Sequence, residues 1–350
     1  MSIADCLTRR MMLGQAGRLV MAAPLLTLVG CNDLVANSTR SSFSGATMGT
    51  RYRVTVGGSH DQAALQAGVV QILENMNDRL STYRPDSDLS QLNATPEASW
   101  VKVSPELAHV MATALGISRA SGGAFDATVA PVVNLWGFGP GEPVVRSPGD
   151  KRIAAALARI GHHQLDIKDA PAAIRKARRD VHIDLSGVGK GYAVDRIADY
   201  LKRAGVEDFL VDIGGDMRAH RSSPDKAAWR IGIEKPHIGP RTLQRVVNLG
   251  SGAIATSGDY RNFYETGGSV YSHIIDPRSG APVSHNLASV TVVAATAEQA
   301  DGWSTALMVM GPDAGLELAD SMGLSAFFIS RTGNGLADRP SREFNRFLVS

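Results

Sequence analysis

The sequence predicts an α+β fold, and three observations carry that expectation. Short apolar runs fit for strands cluster in the second half of the chain, at 209–213, 217–219, 229–234, 245–249, 253–256, 272–275 and 289–294. Segments with helical spacing lie ahead of and between them. The two kinds of element do not alternate regularly, as a parallel α/β sheet would require.

Taken in order, the first thirty residues stand apart from the folded part. Arg9, Arg10 and Arg18 precede the apolar run 19–30, LVMAAPLLTLVG. That run has the length of a signal-peptide core and is too short to span a bilayer. Leu28-Val29-Gly30-Cys31 resembles a bacterial lipobox, which predicts cleavage after Gly30 and lipid attachment at Cys31. The competing reading is an ordinary cleaved signal with a chance cysteine. Thr8-Arg9-Arg10-Met11-Met12-Leu13 resembles a twin-arginine signal, but Arg18 interrupts the approach to the apolar core, so both export routes stay open.

Loss of residues 1–30 removes three arginines and Asp5, which takes the formal charge from +2 to zero. The basic balance is therefore a targeting property. Nucleic-acid binding, which needs a concentrated basic surface, is not expected. Cys6 leaves with the signal, so Cys31 is the one cysteine of the mature chain and no intrachain disulfide forms. The expected organisation is a signal at 1–30, the lipidated cysteine and a polar, Ser/Asn-rich tether at 31–45, and one folded domain at 46–350. About 320 residues suffice for a large core.

Within the domain, RYRVTV at 51–56 alternates like a half-buried strand. Residues 62–80 carry Leu65, Val69, Ile72, Leu73 and Met76 at helical spacing. A second helix is expected at 104–121, with Pro105 in its first turn and Gly122-Gly123 ending it. A third is expected at 148–160. Residues 181–185 read as an apolar strand, followed by the loop Ser186-Gly187-Val188-Gly189-Lys190-Gly191 and an amphipathic helix to Lys202. Gly214-Gly215 between two strand candidates signals a tight hairpin. A helix at 296–310 opens with a capping box, Thr296 with Gln299 three residues on.

The glycine loop is where chemistry is first legible. A strand–loop–helix junction with small residues lets backbone N–H groups and a helix N-terminus face an anion. The glycines at 187, 189 and 191 match neither a Walker A sequence nor a GxGxxG fingerprint, so a purely structural turn competes with a phosphate cradle. Asp184, ahead of the loop, adds a carboxylate. Asp301 and Thr305 fall one turn apart on the last helix, a hard oxygen pair suited to Mg²⁺. Against this, Thr305 would bond back to a helix carbonyl while Asp301 faces solvent. The nine histidines contain no HExxH pair and no Cys/His cluster, which argues against zinc. His273, on an expected strand ending in a Pro/Gly turn, is placed to take a proton near neutral pH, or is an ordinary hydrogen-bonded residue. Ala124-Phe125-Asp126 follows the second helix either as a plain turn or as a floor for a ring. Tyr83 is open between packing and stacking, and the aromatic turn at 134–139 reads as packing.

In this order, TMGT (47–50), LSTYRPDS (80–87), GGAFDAT (122–128), NLWGFGP (134–140) and DLSGVGKGYAVD (184–195) resemble the FAD:protein FMN transferases, the ApbE-type flavin transferases. The likeness continues through VDIGGD (211–216), IEKP (233–236), ATSGDYRNFYE (255–265), SHIIDPRSG (272–280) and ADGWSTALMVMG (300–311). It implies one two-lobed catalytic domain of mixed, largely antiparallel sheets with flanking helices. It implies an FAD site lined by Met48, Tyr83, Ala124, Phe125, Asp126, Asp184, Lys190 and Ile275. Mg²⁺ would be held by the Asp301 and Thr305 side chains and the Gly187 carbonyl, with His273 as proton acceptor. Lys190 stands where certain members carry Glu, and Ser304 where some carry Asp. The implied reaction moves FMN from FAD to a threonine or serine hydroxyl of an acceptor protein and releases AMP. By the same resemblance the acceptor is a subunit of a membrane redox complex, and the enzyme is a lipid-anchored protein of the bacterial cell membrane facing the periplasm. An Mg²⁺-dependent FAD pyrophosphatase and a non-catalytic FAD-binding lipoprotein are the competing functions.

Overall fold

The computed structural model describes residues 40–349, apart from 97–98, 140–146, 224–226, 238, 261–262 and 267–268. The expected signal sequence and the lipidation site Cys31 lie outside the described residues. No described helix is long and apolar enough to cross a membrane.

The chain begins with β1 (Arg40–Thr47) and β2 (Thr50–Gly57), then α1 (Gln62–Leu80), α2 (Asp88–Ala94), β3 (Val101–Lys102) and α3 (Pro105–Ala120). Next come α4 (Ala130–Leu135), α5 (Asp150–Leu157), β4 (Leu165–Asp169), β5 (Ala172–Lys176) and α6 (Gly189–Arg203). The strand-rich part holds β6 (Phe209–Ile213), β7 (Asp216–His220), β8 (Trp229–Glu234), β9 (Leu243–Leu249), β10 (Gly252–Gly258), β11 (Phe263–Thr266) and β12 (Ser269–Ser272). The chain closes with β13 (Ile275–Asp276), β14 (Ala281–Pro282), β15 (Leu287–Ala294), α7 (Ala297–Met310), α8 (Pro312–Met322), β16 (Ser325–Thr332) and β17 (Gly335–Pro340).

Eight strands form one sheet in the order β1-β2-β6-β7-β10-β15-β16-β17, and every pairing in it is antiparallel. The α+β expectation holds. Side-chain alternation sorts neighbouring residues onto two faces. Ala253, Ala255 and Phe328 join the main core with α1, α3, α6 and α7, whereas Ile254, Phe327 and Ile329 join a second cluster built with Trp229, Ile231 and Ile233 of β8. A third, smaller cluster joins Val132, Trp136, Ala156 and Ile275. Helix ends follow the sequence signals. Asp61 caps α1 by accepting from the Ala64 N–H at 3.0 Å, and Ser104 caps α3 at Leu107 with Pro105 in the first turn. Thr296 caps α7 by accepting from the Gln299 N–H.

Three sequence expectations need correction. The tether expected to reach residue 45 ends by Arg40, where β1 begins and pairs residue by residue with β2. An edge strand bonds through its backbone, so one buried anchor, Phe43, suffices in a polar stretch. Residues 181–185, expected as a strand, bury Val181, Ile183 and Leu185 but join no sheet. The Asn93 side chain takes the place of a neighbouring strand, accepting from the Ile183 N–H at 2.8 Å and donating to its carbonyl at 2.9 Å. The Asp184 N–H donates to the Ala127 carbonyl. Finally, the strand expected over 272–275 is broken: β12 stops at Ser272, β13 starts at Ile275, and His273 sits in the bend between them.

Candidate active site

The site is set by the crossing of α6 and α7. A Cβ on Gly191 would fall 2.2 Å from the Ala297 carbonyl oxygen and 2.7 Å from the Glu298 nitrogen, so only glycine admits this approach. Asp195, one turn further along α6, accepts from the Ala297 and Glu298 N–H groups at 2.9 Å each, and Arg218 holds the same carboxylate at 2.6 Å. Burial raises the Asp195 carboxyl above its ordinary value, and these donors pull it back. A carboxylate borrowed from α6 thus satisfies the free N–H groups at the start of α7.

That clamp brings the glycine loop against α7 two turns further on, at Thr305. A Cβ on Gly187 would lie 3.2 Å from both Thr305 Oγ1 and Cγ2, and 3.0 Å from the Phe125 ring. The two segments that the sequence pairs only by inference therefore meet. Asp301 is 3 % exposed, which removes the reading in which it faces solvent. Its Oδ2 accepts from the Gly191 N–H at 3.1 Å, and both its oxygens lie 3.2 Å from Lys190 Nζ. Lys190 Nζ also lies 2.9 Å from Asp216 Oδ2. Burial works to lower the Lys190 ammonium, but the Asp216 and Asp301 carboxylates outweigh it and hold the group above its ordinary range. Burial and the neighbouring Asp301 push Asp216 upward, against the pull of Lys190. Thr305 Oγ1 meets Ser257 Oγ at 3.3 Å, and it is Ser304 that bonds back to a helix carbonyl, that of Asp301.

These groups open onto a cavity of about 540 Å³, within the usual range for a small-molecule site. Its lining brings together Tyr83, Ala124, Phe125, Asp126, Asp184, Gly187, Lys190, His273, Ile275, Asp301 and Thr305. Met48 is not among them. It occupies the β1–β2 turn at φ 45° and packs on the main core. Tyr83 stands at the rim, 70 % exposed. The Asp126 carboxylate is already engaged: Oδ1 accepts from the Thr128 N–H and hydroxyl, and Oδ2 from the His162 N–H at 2.8 Å. Asp126 thus braces this turn while also lining the cavity. Asp184 Oδ1 likewise accepts from the Ser186 N–H and hydroxyl, which shapes the entry to the glycine loop. His273 lines the cavity with its ring edge-on to Phe138, at 6.3 Å between centroids. Its support comes from the third cluster, where Trp136 donates to the Gly280 carbonyl at 2.8 Å.

Asp216 and Ser257 were assigned no role from sequence. Both lie inside quoted motifs, VDIGGD and ATSGDYRNFYE, but nothing in spacing says that β7 and β10 deliver them to Lys190 and Thr305. The donors around Gly187 are all hard oxygen, from carboxylate, hydroxyl and main chain. The absence of a Cβ on Gly187 leaves the loop's backbone against Thr305, so the residues present fit Mg²⁺.

Comparison with known proteins gives a consistent answer. The family model described as "ApbE family" matches residues 48–328. An FAD:protein FMN transferase of Vibrio cholerae serotype O1 is 39% identical over 333 residues, covering 94% of this chain and 98% of that protein. One of Salmonella typhimurium is 38% identical over 341 residues, covering 95% and 97%. Among solved structures, the flavin transferase ApbE from Vibrio cholerae has a TM-score of 0.81 at 37% identity, covering 89% of this chain and all of that one. The apo flavinyl transferase ApbE of Pseudomonas stutzeri has a TM-score of 0.79 at 39% identity, covering 89% and 97%.

Proposed function

The chain belongs to the ApbE family, and from that membership we propose that it is an FAD:protein FMN transferase. The observation that carries the reading is the meeting of Gly187 with Thr305, one turn along α7 from Asp301, beside a cavity that Asp301 and His273 also line. An acceptor threonine or serine hydroxyl attacks the FMN-side phosphorus of FAD. A new P–O bond forms, the bond to the bridging oxygen breaks, and AMP departs.

The chain's own residues have separable tasks. The loop 186–191 faces the diphosphate with backbone N–H groups, keeping it in line for displacement. His273 accepts the hydroxyl proton. Phe125 and Ile275 offer apolar surface to the flavin, and Tyr83 covers it from the rim. Asp301 and Thr305, with the Gly187 carbonyl, would hold Mg²⁺, which when bound neutralises charge on the diphosphate.

We further propose that Cys31 is lipidated and tethers the enzyme to the bacterial cell membrane on its periplasmic side, within reach of an acceptor subunit in a membrane redox complex. Radiolabelled palmitate should mark the wild-type chain and leave Cys31→Ala unmarked. For the reaction, the purified protein is incubated with FAD, Mg²⁺ and a candidate acceptor. Covalent flavin fluorescence on the acceptor band supports transfer. Free FMN and AMP with no labelled acceptor would assign the site to hydrolysis instead.

A further inference from the structure

Lys190 is placed where it must contend with a metal ion. Its ammonium straddles the Asp301 carboxylate, 3.2 Å from each oxygen, and so occupies the donor that the metal assignment needs. It has a second anchor in Asp216, at 2.9 Å. The Asp216 and Asp301 side chains are 4 % and 5 % exposed, against 31 % for Lys190, so the lysine is the open member of the cluster, and of the two carboxylates only Asp301 lines the cavity.

We propose that Lys190 is a tethered placeholder cation that opposes metal binding at Asp301 until a diphosphate arrives, so that divalent metal and diphosphate enter the site together. This inference rests on the metal and FAD assignment above. Its physical basis is charge balance in a buried site. Lys190 already balances the carboxylate that the metal would use. A divalent cation alone adds two positive charges and sets two cations on one carboxylate, while a doubly charged diphosphate alone adds two negative ones. The pair entering together leaves the net charge unchanged, which is the least costly way to load a poorly solvated cluster. Lys190 then turns toward the diphosphate while retaining Asp216. Asp216 is accordingly a positioning residue, acting on the metal through Lys190.

The test measures Mn²⁺ held by the purified protein in equilibrium dialysis, where Mn²⁺–ADP chelate stands equally on both sides, with and without saturating ADP as a diphosphate that offers no flavin to transfer. In the wild type, ADP should tighten Mn²⁺ binding by about 5- to 150-fold, the usual range of coupling between sites. Lys190→Met should bind Mn²⁺ alone more tightly than the wild type and lose most of the ADP dependence. Asp216→Asn should move the other way, binding Mn²⁺ alone more weakly, because Lys190 is left with Asp301 as its one anchor. A plain structural bridge would weaken binding in both variants. Since Lys190→Met strands two buried carboxylates, the Lys190→Met/Asp216→Asn double variant guards against misfolding and should also bind Mn²⁺ alone more tightly than the wild type. If the wild type binds Mn²⁺ with ADP but neither lysine variant exceeds it without ADP, the placeholder role is overturned and the metal assignment stands. If the wild type binds no Mn²⁺ under either condition, both fall.

Discussion

Replacing Gly191 with alanine tests the α6–α7 crossing directly. The added Cβ would lie 2.2 Å from the Ala297 carbonyl oxygen, more than 1 Å short of ordinary contact, and the obstacle is backbone rather than a movable side chain. α7 must therefore retreat, and the two 2.9 Å bonds from its first turn to Asp195 must stretch. Overpacking of this kind costs about 1–3 kcal/mol. Each weakened bond to the charged carboxylate adds about 1.5–3 kcal/mol when lost outright. With one such bond lost, a total near 3–6 kcal/mol would lower Tm by roughly 5–9 °C in a domain of about 310 residues. The same retreat draws Asp301 and Thr305 away from Gly187, so FMN transfer should fall at temperatures where the variant is still folded. Gly189→Ala is the stability control, because its Cβ would meet nothing within 4 Å and helix propensity favours alanine by up to ~1 kcal/mol. A Gly191→Ala protein with wild-type Tm and full transfer would refute the crossing as the device that assembles the site.

Asp301→Ala should abolish transfer in the fluorescent-band assay while a cooperative thermal transition remains. His273→Ala should leave FAD binding intact, read by quenching of flavin fluorescence, and slow transfer by about 10²–10⁴-fold, the usual worth of a general base; undiminished transfer would remove His273 from the reaction. Burial pushes the Tyr192 phenol up from 10.0 to about 12. A raised value in the fold means the contribution to stability is whole below pH 10 and is lost as pH climbs toward 12. Tyr192→Phe should therefore flatten the stability–pH curve in that window by at most about 3 kcal/mol, measured by urea unfolding.

Much of the fold was legible because its longer elements obey one period throughout. Helix α1 was bounded to the residue by Asp61, a run of apolar positions and the polar turn after Leu80. The hairpin at Gly214-Gly215 and the capped start of α7 were equally plain. What escaped depends on partners remote in sequence. Helix α2 buries only Leu89 and Leu92, too few for a periodic signal. Residues 181–185 read as an apolar strand, yet an apolar run cannot say whether its backbone bonds to a strand or to an asparagine 90 residues away. At the site, side-chain type was readable and side-chain employment was not. Nothing in the sequence says that Asp126 also braces Thr128 and the His162 backbone. Asp216 carried no signal of its own, because only β7 delivers it to Lys190.

The β8–β9 ribbon is a sheet of two strands, yet Ile231, Gly232, Ile233 and Glu234 wall one side of the cavity. Its anchorage is the second cluster, on the face of the large sheet away from α6 and α7. Mutational drift in this ribbon can thus remodel the doorway without disturbing the machinery behind it. A lineage built on this scaffold is free to exchange protein clients while its phosphorus chemistry stays fixed.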